Sequence, residues 1–337
     1  MIKYVGRGRT WAVTAAIPVL VTFPCLAFVS SKAPVPPQYE NEVTESEANW
    51  SPARAALGKR LFQDRRLSRD STVSCADCHR PELAFTDGKR TAMGVKAQVG
   101  PRNTPTLVNR ALGRSQFWDG RAGSLEEQAL GPITNPGEMD LTPEEAVARL
   151  ANDASYGGAF HEAFGGGPSP ERIAQAIAAY ERTIYSVDAP FDHFITGDMG
   201  AMSPAAQRGL KVFGGKARCG ECHSGSNFSD ESYHCLGLAN DKGRGKVTGN
   251  EKELGLFRTP TLREIARTGP YMHDGSLGTL AEVIDFYDRG GEPHPNLDPK
   301  MQKLGLTTEE RADLLAFLEA LSGQVVELQA PAKAASR

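Results

Sequence analysis

Cys75-Ala76-Asp77-Cys78-His79 and Cys219-Gly220-Glu221-Cys222-His223 decide how this chain is read. The C-x-x-C-H spacing is a haem attachment signature: two thiols one helical turn apart reach two vinyl groups, and the adjoining imidazole swings under the ring to the iron. One copy would also fit a redox pair or half of a zinc site. Two copies in similar surroundings point to two covalently bound haem c groups. Four of the six cysteines, Cys75, Cys78, Cys219 and Cys222, are then attachment points, and His79 and His223 are iron ligands.

The surroundings repeat as well. Ser51-Pro52-Ala53, with Gly58 and Phe62 behind it, is matched by Ser203-Pro204-Ala205 with Gly209 and Phe213. Both stretches read as helices with Ser as the cap and Pro in the first turn. Arg102-Asn103-Thr104-Pro105-Thr106-Leu107 returns as Arg258-Thr259-Pro260-Thr261-Leu262, one residue shorter. Trp118-Asp119-Gly120, followed by Leu125 and Glu127, returns as His273-Asp274-Gly275, followed by Leu280 and Glu282. From Pro105 to Pro260, and from Asp119 to Asp274, the spacing is 155 residues. The expected fold is therefore mainly α, two tandem cytochrome c-like haem domains with long loops.

A length of 337 residues allows each half its own core. The 35 glycines and 22 prolines imply long connections between short helices, and no alternating strand pattern is evident. Residues 50–190 are expected to form the first domain and 200–325 the second, joined across 188–200, with 326–337 a tail. A helix over 170–186 would close the first domain. One over 306–321, opened by a Thr307 and Glu310 capping box and carrying Leu314, Leu315, Leu318 and Leu321 on one face, would close the second.

With 38 basic and 41 acidic residues, the near-zero net charge argues against a nucleic-acid partner or a strongly charged membrane partner. Lys3, Arg7 and Arg9 precede an apolar run over 11–29, and Ser31-Lys32-Ala33 offers a small-residue cleavage site. Residues 1–33 thus read as a signal peptide or, if retained, an N-terminal membrane anchor. Either implies export, and periplasmic residence suits haems attached outside the cytoplasm. Residues 34–49, rich in Pro and Glu, read as a disordered lead-in. Cys235 is left without a partner once Cys25 is removed and reads as a buried free thiol. His161, His193, His234 and His294 lack motif context and read as exposed or satisfied.

Beyond the haem motifs, several strings resemble the bacterial di-haem cytochrome c peroxidases and their MauG-type relatives over about residues 50–323. They are Gly100-Pro101-Arg102-Asn103-Thr104-Pro105-Thr106, Phe117-Trp118-Asp119-Gly120-Arg121-Ala122, the stretch from Gln128 to Met139 with Asn135-Pro136-Gly137-Glu138, and Thr268-Gly269-Pro270-Tyr271-Met272-His273-Asp274-Gly275. The resemblance implies that hydrogen peroxide reacts at the first haem and that the second passes electrons. Activation-dependent members carry a displaceable His six residues before the Pro of G-P-R-N; that position is Val95, which cannot bind iron. It also implies that Glu138 is the distal acid that carries a proton during O–O cleavage, with Gln128 and Pro132 lining its pocket. The residues alone leave Glu138 equally readable as a surface side chain after a turn.

Ordinary members place a Met fourteen residues after the His of Y-x-H-D-G, whereas MauG-type members have Tyr. Here the position is Tyr287, and the 155-residue repeat pairs it with Pro132. The resemblance makes Tyr287 the sixth ligand of the second haem, with Met272 and His273 as competitors; His273 is read as a hydrogen-bonding neighbour. Trp118 matches the tryptophan between the haems, either relaying oxidising equivalents or packing between domains. Asn103, Thr268 and Pro270 match the ligands of an interdomain Ca2+.

Three functions follow. The first is a MauG-type peroxide-dependent oxidase acting on a protein substrate. The second is a peroxidase drawing electrons from a small cytochrome c or copper protein. The third is an electron carrier without enzymatic activity. Val95 and Glu138 weigh against the carrier, and Tyr287 favours the oxidase.

Overall fold

The computed structural model describes residues 35–40, 50–238 and 241–328. Helices α1 (Pro52–Phe62), α2 (Cys75–Cys78), α3 (Leu125–Thr134), α4 (Pro143–Ala151), α5 (Ala154–Phe164) and α6 (Pro170–Glu181) build the first half. Helices α7 (Pro190–Ile195), α8 (Pro204–Gly214), α9 (Arg244–Thr248), α10 (Leu280–Asp288) and α11 (Thr308–Glu319) follow. Four short strands, β1 (Ile184–Val187), β2 (Tyr233–Cys235), β3 (Leu256–Arg258) and β4 (Gln324–Glu327), and several three-residue 3-10 turns complete the described elements. The chain is mainly α, as its punctuation by capping residues leads one to expect.

The caps are where the sequence places them. Ser51 accepts a hydrogen bond from the Arg54 N–H at 3.2 Å, and Ser203 accepts one from Ala206 at 3.1 Å. Each satisfies an amide that the first turn leaves free, and the proline behind it has no amide to satisfy. Thr307 and Glu310 form the expected reciprocal box, which opens α11. Leu314, Leu318 and Leu321 are buried, joined by Phe317, which the leucine stripe had not included.

Each half has its own apolar core, one built from α1 and α3 to α6, the other largely from α8, α10 and α11. In both, the first helix crosses the last at a glycine. A Cβ on Gly58 would lie 1.8 Å from the Ala176 carbonyl oxygen, and one on Gly209 would lie 1.9 Å from that of Asp313. Glycine in a helix costs about 1 kcal/mol relative to alanine, so the close approach of the two backbones is what retains it. Gly58→Ala is expected to destabilise the protein by about 2–3 kcal/mol despite its better helix propensity, because the opposing atom is backbone and cannot turn aside. A thermal midpoint equal to or above that of the wild type would contradict this.

Four expectations need correction. The helix proposed for 170–186 ends at Glu181, and residues 184–187 form β1, antiparallel to β4. Ile184, Tyr185 and Val187 favour extended backbone, and their partners lie in the far end of the chain, out of reach of any local pattern. For the same reason the short sheets escaped notice, and residues 326–328 are not a free tail: Val326 and Leu328 pack with Leu112 and Tyr185. Within the lead-in, Tyr39 is fully buried, stacked on Tyr185 and donating its hydroxyl to the Ser186 carbonyl at 2.8 Å. The expected connection over 188–200 contains α7, whose Phe191 and Phe194 pack on the second core. The signal or anchor proposed for 1–33 lies outside the described residues apart from its sequence. Among the described residues no helix is long and apolar enough to cross a membrane.

Polar contacts knit the halves. Buried Glu231 takes Arg110 from the first half at 3.1 Å and Arg258 at 3.0 Å. Arg102 bonds both Asp119 and Asp241. A relay of hydrogen bonds also crosses the boundary: Arg258 N–H to the Trp118 carbonyl, the Trp118 indole N–H to the Asn103 carbonyl, and Asn103 N–H to the His273 carbonyl, each at 2.8 Å.

Candidate active site

Two cavities, of about 1150 and 230 Å³, contain the two C-x-x-C-H motifs. The larger is lined by Cys75, Cys78 and His79, the smaller by Cys219, Cys222 and His223. All four thiols are unpaired. The His79 Nδ1–H is directed to the Phe85 carbonyl at 3.0 Å, and that of His223 to the Phe228 carbonyl at 2.9 Å. Such a bond fixes the proton on Nδ1 and leaves the Nε2 lone pair for a metal. Burial lowers the pKa of both imidazoles, which keeps them neutral.

The ceiling of each cavity comes from one helix, and the two helices correspond. Ser124 caps α3 and Thr279 caps α10, at the repeat spacing. Leu125, Ala129 and Ile133 of α3 are buried, and Gln128 and Pro132 line the first cavity together with Leu125 and Ala129. In α10, Val283 and Tyr287 line the second. Pro132 and Tyr287 thus occupy matching places. Burial raises the Tyr287 phenol pKa strongly, so the phenol stays protonated unless a positive charge lies against it.

Glu138 lines the first cavity on the same side as Gln128 and Pro132. The turn that leads to it is locked from within: the Gly137 N–H donates to Asn135 Oδ1 at 3.0 Å, and Asn135 Nδ2 donates to Glu138 Oε1 at 2.8 Å. Burial raises its pKa above the ordinary carboxylate value, partly offset by the Asn135 bond and the charge of Arg121. Glu138 is thus partly buried on the cavity wall, which is the setting that a distal acid requires.

Trp118, Asn103 and His273 line both cavities. His273 is 5% exposed and stacked on Phe257 with ring centres 3.6 Å apart, and its Nε2 has no hydrogen-bond partner. Burial brings its pKa down to about 4. Asn103, Thr268 and Pro270 share the wall of the second cavity. His234 lies between Asp298 at 2.6 Å and Asp230 at 3.1 Å, while His294 meets the buried Cys235 thiol at 3.2 Å; His161 and His193 are exposed.

Val95 differs from its expected setting. It is fully buried, its N–H donates to the Glu138 carbonyl at 2.8 Å, and it is not part of the cavity wall. Met93 and Gly94 form that stretch of wall. Residue type still excludes iron ligation at position 95, and Met93, which lines the cavity in its place, is a residue that counting positions along the loop did not single out.

The description di-haem cytochrome c peroxidase belongs to the family whose pattern matches residues 52–200. Over 290 residues the chain is 43% identical to the methylamine utilization protein MauG of Methylorubrum extorquens, covering 83% of this chain and 81% of that protein. This chain belongs to the di-haem cytochrome c peroxidase and MauG family. It is 35% identical over 319 residues to the cytochrome c551 peroxidase of Pseudomonas aeruginosa, covering 90% of this chain and 87% of that one. A solved MauG-like protein associated with microbial copper homeostasis superposes with a TM-score of 0.78 at 35% identity, covering 86% of this chain and 93% of its own.

As a family member the protein is an oxidoreductase that acts on peroxide and binds two c-type haems. The cavities fit such groups. Each is lined by two free thiols and a neutral imidazole, and three buried polar atoms of lining residues, Thr104 Oγ1, His273 Nε2 and Glu181 Oε2, lack any partner among the described residues. Sequence reasoning had not marked Glu181. A single acid at the end of an amphipathic helix carries no motif, and only its place on the cavity wall distinguishes it.

Proposed function

We propose that this protein is a peroxide-dependent oxidase of the MauG type, reacting at an open first haem and passing oxidising equivalents through a tyrosinate-ligated second haem to a protein substrate. The observation that carries the reading is the paired difference between Pro132 and Tyr287 on corresponding helices. Proline offers no donor atom, whereas a phenol on the equivalent turn offers an oxygen.

Bound haem supplies the iron that takes peroxide and holds oxidising equivalents. Cys75, Cys78, Cys219 and Cys222 would attach the two groups, and His79 and His223 would hold the iron through Nε2. The Glu138 carboxyl would carry a proton from one peroxide oxygen to the other, so that water could leave. Asn135 holds that carboxyl in place, and Gln128 shapes the space beside it. Trp118, touching both cavities, is placed to relay charge between them. An anionic phenolate at Tyr287 stabilises higher oxidation states and lowers the second haem's potential relative to a thioether. His273, whose Nε2 has no partner among the described residues, would be free to hydrogen-bond to a bound group, and oxygens of Asn103, Thr268 and Pro270 would hold Ca2+. The protein works in the periplasm after export.

Mixing the as-isolated ferric protein with one equivalent of peroxide tests the reading. Loss of the high-spin electron paramagnetic resonance signal without added reductant is expected. A signal that persists while peroxide stays unconsumed would refute an open, activation-independent site. A second reading, peroxide removal with electrons from a small cytochrome c or copper protein, draws on the likeness to cytochrome c551 peroxidase. Fast steady-state turnover with reduced cytochrome c would favour it over the oxidase.

A further inference from the structure

The first cavity holds a second acid that the peroxide chemistry above does not use. Glu181, the last residue of α6, is 3% exposed, lines the cavity, and has an Oε2 without a hydrogen-bond partner. A buried polar oxygen left unpaired costs about 1–3 kcal/mol, so its retention calls for a reason outside the chain's own packing.

The duplication supplies the comparison. Gly58 sits against the Ala176 carbonyl and the Tyr180 Cβ, and Gly209 sits against the Asp313 carbonyl and the Phe317 Cβ. These contacts put α6 and α11 in register, which pairs Ile177 with Leu314 and Glu181 with Leu318. Ile177 and Glu181 line the first cavity, and Leu314 and Leu318 line the second. One wall position is therefore leucine beside the second haem site and a carboxyl beside the first.

Nearby charges do not pair with it. Arg182 is held by both oxygens of Glu126 from α3, at 2.8 and 3.0 Å. Arg110 is committed to Gln116, the Ser115 carbonyl and Glu231. On α4, Arg149 bonds the carbonyls of Arg66 and Ser68, and Lys59 on α1 pairs with Glu327. The remaining titratable neighbours are the Tyr180 phenol and, on α2, the Cys75 thiol. Burial therefore dominates and pushes the Glu181 pKa up to about 8, against the pull of Arg182 and Arg110.

We infer that Glu181 is a proton-binding site of the first haem cavity, neutral when the adjacent iron is reduced and ionised when it is oxidised. For each electron that a one-electron donor delivers, iron passes from ferric to ferrous and the Glu181 carboxylate takes one proton from solvent to become the acid; oxidation reverses both. The cause is electrostatic: the ferric centre carries one more positive charge, which favours the carboxylate in a medium that screens poorly. The inference rests on haem attachment at Cys75 and Cys78, and not on the reaction with peroxide.

Spectroelectrochemical titration of the holoprotein at a series of pH values tests it. In the wild type the first haem's potential is expected to fall as pH rises from ~6 to ~9, approaching a change of about tenfold in the reduction equilibrium per pH unit. Glu181→Gln and Glu181→Leu should flatten that dependence and lie above the wild type at the alkaline end, with the second haem's potential unchanged. Leu318 already shows leucine accommodated at the corresponding position, and the glutamine variant keeps the shape of the side chain. A slope that survives in both variants, or a wild-type potential that does not vary with pH, overturns the assignment. Failure of the functional reading would show separately, as a first haem that titrates normally yet ignores peroxide.

Discussion

Glu138→Gln lowers the second-order rate of the peroxide reaction by about 10²- to 10⁴-fold, the usual contribution of a positioned general acid–base group. The amide is nearly isosteric and can still meet Asn135, so the cavity keeps its shape; only the proton carrier is lost. The wild-type rate should also depend on pH in a defined direction. The carboxyl must be ionised to accept the first proton. Burial raises its pKa above the ordinary value, so the rate climbs as pH rises through that raised pKa and levels off above it. Stopped-flow absorbance at several pH values measures both effects. A variant that keeps the wild-type rate, or keeps the same inflection, would remove Glu138 from the chemistry.

Tyr287→Phe should change the low-spin signature of the second haem, leaving that iron high-spin or with the different low-spin signal of another side chain. Tyr287→Met should restore a low-spin centre of higher reduction potential, since a neutral thioether stabilises the ferric state less than an anionic phenolate does. The phenol is partly buried on a mostly apolar cavity wall, and burial raises its pKa, so ionisation without a cation is strongly disfavoured. In the proposed reading, ferric iron would supply that cation. Both variants are read by electron paramagnetic resonance and redox titration. An unchanged spectrum in Tyr287→Phe would transfer the ligand role to Met272 or His273, which line the same cavity.

Much of the site was legible because its chemistry depends on short spacings. A haem needs two thiols and an imidazole within five residues, and a helix start needs a hydroxyl three residues before the amide it satisfies. The duplication extended that reach: corresponding positions in the two halves could be compared without knowledge of either, which is how Tyr287 was set against Pro132. Loop positions fared worse. Val95 was identified by counting, yet between Gly94 and Gln98 the backbone includes left-handed residues at Lys96 and Ala97, and the turn sends Val95 into the protein and leaves Met93 on the wall.

Sequence alone determined the two haem motifs, the repeat that makes the chain two halves, the helix caps and the family, since each is written in neighbouring residues or in their recurrence. Tertiary structure alone decided that the far end of the chain pairs with β1, that Tyr39 belongs to the core, and that Glu181 faces the first cavity unpaired. Those facts depend on contacts between residues far apart in the chain, where burial and the removal of water, rather than local spacing, set which side chains are satisfied and which are left to meet a cofactor.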